Sequence, residues 1–298
     1  MQGPYARREY RLGLLLVAGS TIALSTSGFY TRAVGADIWT TLFWRCAFAG
    51  LLILAWGVYS TGPRFVTDVR ALGGPGLLVA ACSTVATMSF IAALDLTSVA
   101  NVFILQATAP FVAAFLGRVW LKERLDAAGL VASALAVVGV TIMVAGSYGH
   151  GSVAGDLLAM VATVALGLLI VLMRRWKQVS MLPAVLVAFL LAVAASAPLA
   201  APFAVSGRDF FWLAMFGVFQ AGLGWLLFTL GAPLVPPADA ALVGVLEVVL
   251  APVWVWLAFN EVPSTATLVG GALVLAAVVG QVTRELIQQM TSNYRAAV

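Results

Sequence analysis

The sequence predicts an all-α integral membrane protein of ten transmembrane helices, arranged as two inverted five-helix repeats. Three observations carry that reading. The chain of 298 residues is 62% hydrophobic and 9% charged, with a mean hydropathy of +1.05, whereas a soluble domain carries about 25% charged residues. Its apolar residues fall into runs of roughly 20, the length that crosses a bilayer as a helix. Finally, the chain matches itself at a constant offset of 138: Pro110–Glu123 closes an apolar run with Trp120-Leu121-Lys122-Glu123, and Val248–Glu261 closes another with Ala258-Phe259-Asn260-Glu261. The register continues, with Leu130-Val131 on Leu268-Val269 and Ala134-Leu135 on Ala272-Leu273. Apolar identities carry little weight in such a chain. A glutamate at the same helix boundary carries more, because only 12 residues are acidic. Internal symmetry with an odd number of spans per half is the mark of an inverted-repeat transporter.

The runs cover 12–33, 38–59, 76–94, 98–117, 127–147, 154–173, 181–202, 209–231, 238–258 and 264–282. They are continuous, where barrel strands would alternate. The first run follows Arg7, Arg8 and Arg11 as a signal peptide would, but it is too long and lacks a small-x-small cleavage site, so it is expected to stay as helix 1. A glycine-rich turn, Gly146–Gly155, divides the chain into repeats 1–148 and 149–298. With the N-terminus inside, 13 of the 16 Lys and Arg fall on the cytoplasmic side, Arg32 and Arg208 fall outside, and Arg45 lies within helix 2. The positive-inside rule therefore puts both termini in the cytoplasm, Glu123 at the inner mouth and Glu261 at the outer one. The net charge of +4 reflects this topology, and no nucleic-acid partner is expected. Small residues on helices 5 and 10 (Ala132, Ser133, Gly139; Gly270, Gly271, Ala277) suit close helix contact away from the pathway.

Polar groups in mid-membrane are the candidates for function, since they are costly there. Along the chain these begin with Thr21 and Ser25 on helix 1 and Arg45 about two turns inside helix 2. Ser83 and Thr87 follow on helix 3, and Asn101 and Thr108 on helix 4. Gln220 sits at the midpoint of helix 8, with Phe216, Gly224 and Trp225 near it. Glu247 lies close to the middle of helix 9, beyond snorkelling reach of either mouth. Its carboxyl can bind a substrate ammonium or a proton, or tie helix 9 to its neighbours. Gln220 serves a ligand or a helix contact. The hydroxyls line a cavity or bond back to the preceding turn. Arg45 attracts a carboxylate or snorkels to Asp37 or Glu261. Asn101 and its repeat mate Asp239 are placed at opposite mouths, as gates or caps. Pro110 and Pro252 each free a carbonyl and are expected as flexible points. Tyr30, Trp44 and Phe90 can stack on a planar substrate or populate interfacial belts.

Several classes are excluded. Cys46, Cys82 and the single His150 cannot build a metal cage or disulfide framework, and no phosphate loop or His-Glu-x-x-His helix is present. An ATP-driven pump or an intramembrane metalloprotease is therefore not expected. Neither enzymatic activity nor a cofactor is expected.

The stretch Ala93 to Val140 carries Ala93-x-x-x-Thr97-Ser98-x-Ala100, then Pro110, then Glu123 and an Ala/Gly/Leu helix. It resembles the repeat of the EamA branch of the drug/metabolite transporter superfamily. Leu246-Glu247 through Pro252 to Glu261 is similar to that family's Leu-Glu-Pro segment, with Val248 in the place of its proline, and Gly155-Asp156-Leu157-Leu158-Ala159 resembles the entry to its sixth helix. Within the family the likeness is greatest to the bacterial amino-acid exporters of the YddG type. The resemblance implies a site lined by helices 1, 3, 4, 6, 8 and 9 in a bacterial inner membrane, and export of small neutral or zwitterionic metabolites, amino acids among them, by alternating access. Carriers of sugar phosphates would need more buried Lys or Arg than Arg45 alone. Two other readings stand beside this one: a proton-coupled exporter of lipophilic cations, and a membrane scaffold or receptor without transport. The expected partners are a small-molecule substrate and the lipid bilayer. The oligomeric state is left open, a monomer included.

Overall fold

The computed structural model describes residues 4–120, 127–147, 153–176 and 178–297. Glu123, His150 and Lys177, to which the sequence assigns sides of the membrane, lie outside the described residues. Among those described, every regular element is a helix, and the apolar runs become a bundle of rods. α1 (Pro4–Ser25) and α2 (Ser27–Ala33) form the first rod and α3 (Ile38–Thr61) the second; the short α4 (Arg64–Arg70) leads to α5 (Gly73–Leu96), the third. The fourth is α6 (Val99–Gln106) plus α7 (Ala109–Trp120), followed by α8 (Ala127–Ser147), α9 (Val153–Arg175) and α10 (Met181–Ser196). The eighth joins α11 (Gly207–Met215) through a π-helical stretch, Phe216–Leu223, to α12 (Gly224–Gly231); α13 (Pro237–Phe259) and α14 (Thr265–Ala297) complete the bundle. Seven rods are long and apolar enough to cross a membrane, while the apolar parts of the fifth, seventh and tenth are shorter, at Val131–Ile142, Met181–Ser196 and Thr265–Gln281.

The rods depart from the apolar runs where local chemistry competes with the helix. In the first rod, Ser25 and Thr26 donate their hydroxyls to the carbonyls of Ile22 and Ala23, and the helix breaks at Thr26. Such back-bonding bends helices. In the fourth, Pro110 has no N–H for the Gln106 carbonyl, and the rod breaks across Ala107–Thr108. The seventh helix stops at Ser196, short of residue 202, because Pro198 follows its C-cap and cannot continue the helix. Pro252 does not act likewise: α13 runs through it unbroken. Ala251 and Val255 on either side are packed in the core with Tyr30 and Phe103, and that packing holds the rod in line. Past residue 282, where the last apolar run ends, α14 continues to Ala297.

Packing between rods follows a two-fold pattern. The principal contacts are α8 on α14, α5 on α9, α3 on α10, α1 on α12, α7 on α9, α1 on α13, α3 on the π stretch and α5 on α10. Replacing each rod by the one five later maps this set onto itself. The fifth and tenth rods meet where glycines allow close approach, as their small residues lead one to expect. A Cβ on Gly139 would lie 2.6 Å from the Gly270 carbonyl oxygen. Gly139→Val must push the pair apart, and overpacking of this kind costs about 1–3 kcal/mol. The expected result is a lower midpoint in thermal unfolding of the detergent-purified protein.

Rods 1 and 9 run parallel and in register. Tyr10 bonds Asp239, Ser25 bonds Trp254 and Arg32 bonds Glu261, each pair 229 residues apart. The shared offset sets Glu247 level with Ala18, and it defines two ends of the bundle, one at Asp239 and one at Glu261.

Candidate functional site

The buried polar centre is built on the π-helical stretch of the eighth rod. A π-turn inserts an extra residue into the helix and widens it, and such turns are frequent at functional sites. Gln220 lies inside it, 2% exposed. Its Oε1 accepts from both Nε and Nη2 of Arg45, at 3.2 and 2.9 Å, and its Nε2 donates to the Leu24 carbonyl at 3.2 Å. That carbonyl sits just before the break at Thr26. Two glycines bring the three rods this close: a Cβ on Gly217 would lie 2.6 Å from the Arg45 carbonyl oxygen, and one on Gly224 would lie 2.7 Å from Leu24 Cδ2. Gly224 therefore receives a neighbouring helix and not a ligand. Arg45 is 3% exposed and its guanidinium lies 5.0 Å from the centre of the Phe216 ring, a cation–π contact. It reaches neither expected carboxylate. Asp37 caps α3 by accepting from the N–H groups of Trp39 and Thr40, and Glu261 is taken by Arg32. Nη1 of Arg45 has no hydrogen-bond partner among the described residues.

Glu247 lies ten residues into α13, about 15 Å from one end and 18 Å from the other. It makes no hydrogen bond or ion pair among the described residues, unlike the other acids of rod 9. Glu247, Trp254 and Glu261 recur every seven residues, close to two helical turns, so Glu247 shares the face that Trp254 turns to rod 1. A carboxyl at this depth without a protein partner calls for one from outside: a proton, a cation or water.

Ser83, Thr87 and Trp225 line a small cavity of about 50 Å³ among α5, α9, α10 and α12. It has room for one or two waters and is walled largely by Val79, Leu166, Leu169 and Phe189. The seventh rod thus joins the lining, a part the sequence did not assign to it. Ser83 and Thr87 share this wall, while Thr21 and Ser25 on rod 1 are not part of it.

The Glu261 end is sealed. Glu261 pairs with Arg32 at 2.9 Å and accepts from the Val99 N–H, while Arg32 also donates to the carbonyls of Leu94 and Thr97. Behind this pair, Asp156 accepts from Thr97 and Asn101, and Asn101 accepts from Thr267. Gly155 allows the fit, since its Cβ would meet the Thr97 backbone nitrogen at 2.9 Å. Beneath lies a plug of rings, with Phe29 against Tyr30, Trp212 and Phe259, and Tyr30 stacked on Phe216. Toward Asp239 the fourth rod leaves the ninth and tenth, while rods 1 and 9 stay joined through Tyr10 and Asp239. α6 packs on α9, α13 and α14, whereas α7, past the break at Thr108, packs chiefly on α9.

The remaining candidates take local duties. Thr21 donates to the Val17 carbonyl and Thr108 to that of Leu105. Ser25 accepts from the Trp254 indole. Asn101 and Asp239 lie at opposite ends, as placed, but Asn101 is held in the sealing network and Asp239 accepts from Tyr10. Trp44 donates to the Pro202 carbonyl and Phe90 packs edge-on against Phe103. Arg32, Asp156, Thr267 and Trp254 were not among the candidate residues: the sequence reading used Arg32 only for topology and Asp156 only in a helix entry. Polarity at a helix end, the signal at Arg32, Asp156 and Thr267, usually marks solvation or capping.

Known proteins bear on this arrangement. The profile of the EamA-like transporter family matches residues 11–145 and, a second time, 153–283. An uncharacterized transporter of Archaeoglobus fulgidus is 27% identical over 273 residues, covering 91% of this chain and 96% of its own. A solved crystal structure superposes with a TM-score of 0.58 at 19% identity over 93% of this chain and 96% of that one, a likeness in fold.

Proposed function

Because the chain belongs to the EamA-like transporter family, we propose that it exports small neutral or zwitterionic metabolites, amino acids among them, across a bacterial inner membrane by alternating access. The observation that carries this reading is Glu247, a mid-depth carboxyl without a protein partner in a bundle sealed at one end. The matched halves and the exchange pattern of rod contacts support two repeats inverted about the membrane plane. Sidedness follows from the basic residues: the Asp239 end faces the cytoplasm and the Glu261 end faces outward. The sealed outer end and the parted inner half of the fourth rod then fit an inward-facing state that accepts cargo from the cytoplasm. The Ala107–Thr108 break beside Pro110 gives that half its freedom. Glu247 receives the ammonium group, and the surrounding apolar walls accept the side chain.

A second reading rests on the same carboxyl. With apolar surroundings and the Trp254 indole two turns away, Glu247 suits a lipophilic cation exchanged for a proton. Flux in proteoliposomes separates the two. A panel of neutral amino acids and a quaternary-ammonium dye is followed with and without a pH gradient. Amino-acid exchange without a gradient supports the proposal. Dye movement alone, driven by the gradient, replaces it with the second reading.

A further inference from the structure

The buried arginine has no role in the reading above. A guanidinium offers two bidentate edges, the Nε–Nη side and the Nη1–Nη2 end, besides its flat faces. In Arg45 the Gln220 amide oxygen takes the Nε–Nη2 side and the Phe216 ring covers one face. Nη1 is buried with no hydrogen-bond partner among the described residues, so the end of the fork is left over. Arg32 and Glu261 neutralise each other, whereas no carboxylate among the described residues pairs with Arg45. A lone buried charge costs several kcal/mol. A helix-linking role does not require it, since an amide could bridge rods 2, 8 and 1 without the charge.

We propose that the Arg45–Gln220 pair is a carboxylate-binding station, separate from Glu247, so that the cargo is an amino-carboxylate handed from one to the other. This rests on Glu247 as the ammonium station. The register of rods 1 and 9 supplies the separation. Glu247 is level with Ala18, while Gln220 and Arg45 are tied to Leu24, six residues further toward the Glu261 end, a rise of about 9 Å. Helical side chains lean toward their N-terminus, which draws the Glu247 carboxyl further toward the Asp239 end. The amino and carboxylate groups of an α-amino acid are only about 3 Å apart, so one molecule cannot span both stations. It meets Glu247 first when entering at the Asp239 end. The guanidinium adjoins the ring plug, because Phe216 touches both Arg45 and Tyr30. Opening of the plug uncovers the fork as the floor of the outer vestibule, and the carboxylate docks there in bidentate fashion before release.

Three probes resolve the stations: L-phenylalanine, L-phenylalaninamide, which lacks the carboxylate, and 3-phenylpropionate, which lacks the ammonium. Binding to the purified protein and exchange in proteoliposomes are measured for the wild-type chain, Arg45→Met and Glu247→Gln. For Arg45→Met we expect roughly tenfold or greater loss with phenylalanine and phenylpropionate and little change with the amide. Its thermal stability should be equal or higher, since a buried charge replaced by an apolar chain of similar size is often neutral or stabilising. Glu247→Gln should show the converse, losing the amide and keeping phenylpropionate. Equal loss of all three probes in Arg45→Met, together with a lower unfolding midpoint, makes Arg45 a helix tie and overturns the proposal. Loss confined to carboxylate probes in both variants overturns the Glu247 reading and leaves the arginine station standing.

Discussion

Replacing Glu247 by glutamine is expected to lower amino-acid flux by on the order of tenfold or more, the factor that about 1.4 kcal/mol of lost charge attraction produces. The side chain keeps its shape and its hydrogen-bonding capacity, so the protein should remain folded and monodisperse in detergent. No partner within the described residues depends on this carboxyl, which is why the loss should appear in transport and not in thermal unfolding. A proton-carrying role has another signature: the variant would keep downhill exchange and lose its response to a pH gradient. A structural role would lower stability in step with activity. Normal flux and normal pH response in a stable variant would move recognition to the uncharged groups around Thr87, Thr108 and Gln220.

The second large effect is expected at the sealed end. Glu261→Gln removes the ion pair with Arg32 and weakens the acceptor for the Val99 N–H. Both side chains are about a quarter exposed, at 26% and 23%, so screening reduces the pair's worth. The charged hydrogen bonds still make a loss of about 1–2 kcal/mol reasonable, enough to raise the share of the outward-open state some five- to thirtyfold. The measurement is hydrogen–deuterium exchange across residues 94–101, which should quicken in the variant while the amides of α8 and α14 keep their protection. Unchanged exchange there would mean that the ring plug alone holds the end shut.

Much of this architecture was legible in the chain. Apolar runs gave the rods, because a bilayer demands long uninterrupted helices. The glycines of the fifth and tenth rods gave their contact, because only small residues let backbones meet at the distance seen between Gly139 and Gly270. Pro110 marked the break in the fourth rod. Pro252 misled, since a proline removes one hydrogen bond but does not decide whether neighbours hold the helix straight. The site was legible residue by residue and not as pairs. Glu247 and Gln220 stood out as polar groups at mid-depth. Which partner each would find depended on side-chain levels across rods, such as the constant spacing from Tyr10, Ser25 and Arg32 to Asp239, Trp254 and Glu261. Arg45 shows the difficulty: two carboxylates lay within plausible reach, yet one was spent on a helix cap and the other on Arg32. The π-turn that brings Gln220 to it has no sequence signature beyond the glycines at 217, 222 and 224.

Alternation between the two ends is tested most directly by thiol labelling at the level of Glu247. In a chain with Cys46→Ser and Cys82→Ser, Ala18→Cys places a thiol opposite that carboxyl. A membrane-impermeant maleimide is applied from each side of sealed, oriented vesicles. The expected result is labelling from the Asp239 side alone; adding Glu261→Gln should then raise labelling from the Glu261 side and lower it from the other. Simultaneous labelling from both sides, with neither rate responding to Glu261→Gln, would describe a continuous pore and contradict alternating access.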